Sequence, residues 1–258
     1  MPDYSPKYNL RVGVYNTSKI ENFYRPLTWS LSYGPTPLLW YTSSDKRLYR
    51  DYSSGYNLSE TGNQFNTITY STTKNSLPVA SFSGSDVFTS ASVTTGVNTT
   101  RFVVFKPWVY LNDGIGTRNI VENIMFTSTS NWYQSSINIR KTGYIYGVSS
   151  YTGDSGSTVI SNSVAGTYSN NEWCVVVHKG DAQIAQSSFG KINGRVMSAT
   201  ASLSTDFYQA SSNLYTIACR NNTTNGEIAE VIFYNSLLST PDITSVEDYL
   251  KAKWGITY

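Results

Sequence analysis

Trp173-Cys174-Val175-Val176-Val177-His178 is the most apolar short run in the chain, and its reading decides the fold. It is short and rich in valine, so it reads as the most apolar strand of an all-β chain. Asn193-Gly194 follows fifteen residues after His178. Both central positions of a type I′ turn need positive φ, so this pair predicts a tight hairpin beyond the strand. Working outward, Arg101-Phe102-Val103-Val104-Phe105-Lys106 reads as a second buried strand. Further strands are expected at Ile120 to Phe126, Ser136 to Arg140, Tyr144 to Val148, Val159 to Asn162, Leu214 to Cys219 and Ile228 to Tyr234. The chain's end differs. Ser239-Thr240-Pro241-Asp242 carries a cap residue, an early proline and a first-turn acid. Ile243, Val246, Tyr249 and Leu250 then recur at helical spacing, Lys251 and Lys253 suit the negative end of the helix dipole, and Gly255 can stop the helix.

Composition agrees. The 258 residues can bury a core in a single sandwich. Only 14% of residues are charged, against about 25% in ordinary globular chains. Ser, Thr and Asn together fill roughly a third of the chain, and there are 21 tyrosines. Hydroxyl and amide groups therefore solvate a surface that Lys and Glu usually cover, and the mixture favours strands and turns. The net charge is +2 and the basic residues are scattered, which argues against a nucleic-acid partner. No apolar run approaches a membrane span, and the first residues, Met1-Pro2-Asp3-Tyr4-Ser5-Pro6, do not read as a secretory leader. Cys174 and Cys219 lie in apolar runs and read as buried free thiols, with a disulfide the lesser alternative.

Residues 1–35 stand apart. Tyr4, Tyr8, Tyr15, Phe23, Tyr24, Trp29 and Tyr33 recur among four prolines. The segment is too aromatic for a solvated linker, and Pro35-Thr36-Pro37 marks a boundary. The expected organisation is an attachment or oligomerisation arm over 1–35 and a sandwich over 36–258. The arm would engage its partner through Leu10, Val12, Val14, Tyr15, Phe23 and Tyr24, the first four by adding a strand to a neighbouring sheet edge. The competing expectation is that the arm folds back on its own sandwich.

Four stretches taken together resemble the concanavalin A-like lectin/glucanase (laminin-G-like) family, of the type found in bacteriophage virion and bacterial surface proteins. Pro37-Leu38-Leu39-Trp40-Tyr41-Thr42-Ser43-Ser44-Asp45 resembles the family's opening strand, and Pro78-Val79-Ala80-Ser81-Phe82-Ser83-Gly84 the strand after its first variable loop. Asn171-Glu172-Trp173 leading to Ile192-Asn193-Gly194-Arg195 is similar to its central strands and hairpin. Asn225 to Asn235, then Leu238-Ser239 and Tyr249 to Ile256, resemble its closing strand and helix. The resemblance covers residues 37 to 258 and implies an all-β fold: a two-sheet antiparallel jelly-roll sandwich with one short C-terminal helix.

Function is less determined, because the family includes lectins, glucanases and structural modules. The family's glucanases carry a Glu-x-Asp-x-x-Glu strand motif, of which only Glu227 and Glu230 are present. Three residues apart on a strand, they are expected on opposite faces and unable to converge on one sugar. Thr152 to Ser157 echoes a serine-protease nucleophile loop, but a polar turn explains it, and the single histidine, His178, reads as structural. Asn112-Asp113-Gly114 reads as a turn, so no metal or cofactor is expected. For glycan binding, Asn131, Trp132 and Tyr133 combine a stacking surface with amide and hydroxyl groups, and Tyr151 with Asp154 forms a second rim. The expected function is a non-catalytic bacteriophage virion surface subunit (fibre, spike or capsid decoration). It would be made in the host cytoplasm, homo-oligomeric, joined to other virion proteins by its arm, and in contact with host-surface carbohydrate. The alternative is a lectin module of a secreted or cell-surface assembly.

Overall fold

The computed structural model describes residues 28–46, 48, 51–55, 58–60, 68–82, 88–90, 99–107, 120–127, 135–142, 145–152, 159–162, 172–180, 189–196, 215–217 and 226–258, the second sheet through its backbone. The strands are β1 (Leu39–Thr42), β2 (Leu58–Glu60), β3 (Thr69–Lys74), β4 (Leu77–Phe82), β5 (Phe88–Ser90), β6 (Thr99–Pro107), β7 (Ile120–Thr127) and β8 (Ser135–Thr142). They continue with β9 (Ile145–Thr152), β10 (Val159–Asn162), β11 (Cys174–Gly180), β12 (Phe189–Ile192), β13 (Arg195–Val196), β14 (Tyr215–Ile217) and β15 (Gly226–Tyr234). Among the described residues a 3-10 turn, Leu31–Tyr33, precedes them, and a helix, α1 (Thr240–Trp254), follows β15. Among the described residues every pairing is antiparallel. The protein is a two-sheet antiparallel sandwich, as its sequence led us to expect.

The first sheet runs β13-β12-β11-β6-β15-β4-β3, with β1 also paired to β15; the second runs β10-β9-β8-β7-β14-β5-β2. In the first sheet, Thr99 to Phe105 of β6, Cys174 to His178 of β11 and the whole of β15 are buried. Alternate residues divide between two cores. Leu39, Tyr41, Val103, Phe105, Cys174, Val176, Val231 and Phe233 form one, on the face away from α1. Trp40, Phe102, Val104, Val175, Val177, Ile232 and Tyr234 form the other, under Ile243, Val246, Leu250 and Trp254 of α1. The period of two along each strand thus supplies one sheet with two interfaces.

Strand β15 is the hub. β6 pairs along one side of it, while β4 takes residues 226–228 and β1 takes residues 230–233 on the other. Ser43 fills the junction between those two strands. Its N–H donates to Ala229 O at 2.9 Å, and its hydroxyl reaches Pro78 O at 2.8 Å and Ala229 O at 3.0 Å.

Asn193 and Gly194 have φ of 47° and 73° and join β12 to β13, giving the expected hairpin. A second two-residue turn, Asn75-Ser76, has φ of 49° and 63° and joins β3 to β4. It lacks the glycine that would have announced it. The helix begins where its signals place it: Ser239 caps it, its hydroxyl accepting from Asp242 N, and Gly255 ends it in the left-handed region at φ 58°.

Candidate functional site

A buried polar cluster lies on the helix-covered face, and it starts with a bulge. The register of β15 against β6 shifts between Ile228 and Glu230, which leaves Ala229 as an extra residue. The expectation that Glu227 and Glu230 face opposite ways is therefore corrected. Glu227 pairs with Lys106 and Ile228 with Phe105, so Glu227 stands on the helix side; the bulge returns Glu230 to that same side. They still do not act together. Glu227 is tied to Lys106 at 2.8 Å, whereas Glu230 is fully enclosed.

Glu230 receives four donors, two on each oxygen. Trp40 Nε1 at 2.5 Å and the Tyr249 hydroxyl at 2.7 Å reach Oε1. Trp254 Nε1 at 2.6 Å and Lys253 Nζ at 2.8 Å reach Oε2. A carboxylate inside a core requires such satisfaction. Burial, then the charge of Glu230, pushes the Tyr249 phenol well above its ordinary value, which keeps it a donor. Sequence reasoning weighed Glu230 only as a catalytic acid and Lys253 only as a partner for the helix dipole. The available signal was an acid at a core-facing position of the apolar run 228–234, which demands buried donors. The lysine instead turns inward, and Asn75 Nδ2 serves the helix end by donating to Lys253 O at 2.9 Å.

Trp29 packs on the rim of this region. It makes edge contacts with Tyr33, Trp40, Tyr234 and Tyr249, and its Nε1 donates to Gly34 O at 3.1 Å. Tyr33 stacks on Tyr249 with ring centroids 4.3 Å apart. Residues 28–35 therefore lie against α1. The proposed contact residues Leu10, Val12, Val14, Tyr15, Phe23 and Tyr24 fall outside the described residues.

On the other face, His178 is fully buried opposite Arg101 in the β11–β6 register. Burial, with the Arg101 charge adding to it, holds its imidazole well below the ordinary range, so it is neutral. Cys174 is a buried free thiol, and Cys219 lies outside the described residues. Among the described residues, no group of three or more His, Cys, Asp and Glu side chains could hold a metal ion. No described helix is long and apolar enough to cross a membrane. Asp113 is outside the described residues.

Of the expected glycan-binding residues, Tyr151 lies in β9, where its backbone pairs with Ser136 and Val159. Asn131, Trp132, Tyr133 and Asp154 fall outside the described residues. The strand ends from which their stretches depart are informative. Ser135 opens β8 directly opposite Thr152, which closes β9. Thr127 ends β7 opposite Tyr215, which opens β14, and Val159 opens β10 opposite Tyr151. Thr127, Ser135, Thr152 and Val159 thus lie at one end of the second sheet.

No protein-family model matches this sequence, and no curated protein matches it. Solved structures do resemble it. The botulinum neurotoxin type G receptor binding domain superposes with a TM-score of 0.51 at 16% identity, over 84% of this chain and 52% of that one. The botulinum neurotoxin serotype D ligand binding domain, in complex with N-acetylneuraminic acid, gives 0.58 at 14% identity, over 83% of this chain and 51% of that one. Domain 4 of AbnA, a GH43 extracellular arabinanase from Geobacillus stearothermophilus, in complex with arabinotriose, gives 0.55 at 14% identity, over 83% of this chain and 98% of that one. The chain spans about half the length of the neurotoxin domains and nearly all of the arabinanase domain. At these identities the likeness is one of fold: this chain has the β-sandwich architecture of those binding domains.

Proposed function

We propose that this protein is a non-catalytic carbohydrate-binding sandwich module whose site lies at the end of the second sheet. The observation that carries this reading is the pairing of Ser135 with Thr152. It sets opposite one another the two strand ends that flank, in sequence, the stretch with Asn131, Trp132 and Tyr133 and the stretch with Asp154. Trp and Tyr offer rings on which the apolar face of a sugar stacks, while Asn and Asp offer hydrogen bonds to its hydroxyls. Two of the similar structures, the serotype D domain and the arabinanase domain, are complexes with a sugar, which supports the same ligand class here. The similar neurotoxin structures are receptor- or ligand-binding domains, and the enclosure of Glu230 removes the one carboxylate pair that sequence had suggested for hydrolysis. A glycan array probed with wild type and Trp132→Ala tests the reading. Binding to a defined glycan class that the variant loses supports it; no binding to any glycan sinks it.

The finer reading is a bacteriophage virion surface subunit, homo-oligomeric and held to other virion proteins by its N-terminal arm over residues 1–35. It is supported by the Ser/Thr/Asn/Tyr-rich composition and by the family resemblance. Mass spectrometry of purified particles tests it, and recovery of the chain only from a bacterial secreted fraction would overturn it.

A further inference from the structure

The Glu230 cluster has the form of a ligand site with its ligand already in place. The ammonium of Lys253 makes three polar contacts: Glu230 Oε2 at 2.8 Å, Thr42 Oγ1 at 3.0 Å and the Tyr249 hydroxyl at 3.0 Å. A primary ammonium has three protons, and each has an acceptor. Three rings surround the same nitrogen, with centroids at 5.5 Å for Trp40, 5.4 Å for Tyr249 and 5.2 Å for Trp254. These are cation–π distances. All the groups except Tyr249, Lys253 and Trp254 come from the sheet, so the site spans the joint between sheet and helix.

We infer that Glu230, Thr42 and Tyr249, walled by Trp40, Tyr249 and Trp254, form a primary-alkylammonium site whose resident ligand is the chain's own Lys253. The acceptors belong to residues other than Lys253, and the indole N–H groups of Trp40 and Trp254 hold the carboxylate in position independently of it. Shortening Lys253 to alanine therefore removes the ligand and leaves its receptor. The part removed has the atoms of n-propylammonium, which is the matching ligand. Three-point acceptance also sets selectivity. Each methyl added to the nitrogen removes a proton that an acceptor expects, so binding falls from primary to secondary to quaternary amine. In the intact protein the tethered Lys253 competes at high effective concentration, so free amines do not enter.

The experiment is thermal unfolding of full-length K253A and wild type in n-propylammonium chloride, with sodium chloride at equal ionic strength as reference. The expected result is a lowered midpoint for K253A, restored by about 3 °C or more once the amine stands ten-fold above its Kd. Wild type shows no such rise, and tetramethylammonium gives little. The double variant K253A/E230Q loses the response. Should K253A be unfolded alone, recovery of folded protein on refolding in propylammonium is the expected result. No rescue, equal rescue by tetramethylammonium, rescue that persists in the double variant, or failure to fold in both salts each overturns the assignment.

Discussion

Trp40 on the first strand and Trp254 on the last turn of the helix donate their indole N–H groups to opposite oxygens of Glu230, at 2.5 and 2.6 Å. Two residues near opposite ends of the described chain are thereby joined through one buried carboxylate.

That arrangement makes Glu230 a stability determinant. Glu230→Ala leaves two indoles, a phenol and an ammonium without their acceptor in the core, and is expected to cost about 3–5 kcal/mol. Glu230→Gln keeps the shape but aims its amide hydrogens at neighbouring donors, and should cost less than the alanine variant. Urea titration checks both. A Glu230→Ala protein within about 1 kcal/mol of wild type would show the network to be dispensable.

Acid sensitivity should trace to His178, the chain's single histidine. Its folded-state value lies well below the unfolded 6.5, because burial and then the Arg101 charge disfavour the imidazolium. The unfolded chain therefore binds the proton first. Stability is fully present above pH 6.5 and is lost as pH falls below it toward the folded value, by about 1.4 kcal/mol per pH unit. Denaturation midpoints between pH 7.5 and 5.5 should decline for wild type and stay level for His178→Gln. Parallel slopes would assign the effect elsewhere.

Backbone strain predicts opposite responses at two hairpins. Ser76 occupies φ 63° without being glycine, so Ser76→Gly should stabilise the protein by up to about 1 kcal/mol. Gly194 has φ 73°, and a Cβ there would lie 2.8 Å from the Tyr258 ring. Gly194→Ala should destabilise by about 1–2 kcal/mol. Thermal unfolding of the two variants decides, and shifts of the same sign would refute the argument.

Thiol reactivity gives a fourth check. Burial, with a contribution from the charge of Glu172 and against a hydrogen bond from Asn193, pushes the Cys174 thiol up to about 12. In a Cys219→Ser background, native protein should resist a thiol-specific chromogenic disulfide reagent at pH 8 and react fully in denaturant. Rapid labelling of the native state would place Cys174 outside the core.

The strands β6, β10, β11 and β15, the Asn193-Gly194 hairpin and the capped helix were legible because each rests on local chemistry. Runs of β-branched residues, a residue pair able to adopt positive φ, and a Ser-Thr-Pro-Asp start all act within a few positions. The Asn75-Ser76 turn escaped notice because serine rarely adopts φ near 60°. Its hairpin is held there by Asn75 docking on the last turn of the helix. The parity of Glu227 and Glu230 was misread because a bulge inserts a residue that no sequence period announces.

By itself, the sequence determined the all-β class, the closing helix and which residues could be core, since periodicity and propensity are properties of neighbouring residues. Only the tertiary structure decided what Glu230, Lys253 and the two tryptophans are for. Their meeting depends on β15 pairing with β1 on one side and β6 on the other, and on α1 closing over that face. A buried carboxylate must be satisfied by whatever donors packing brings to it, and packing joins residues that are remote along the chain.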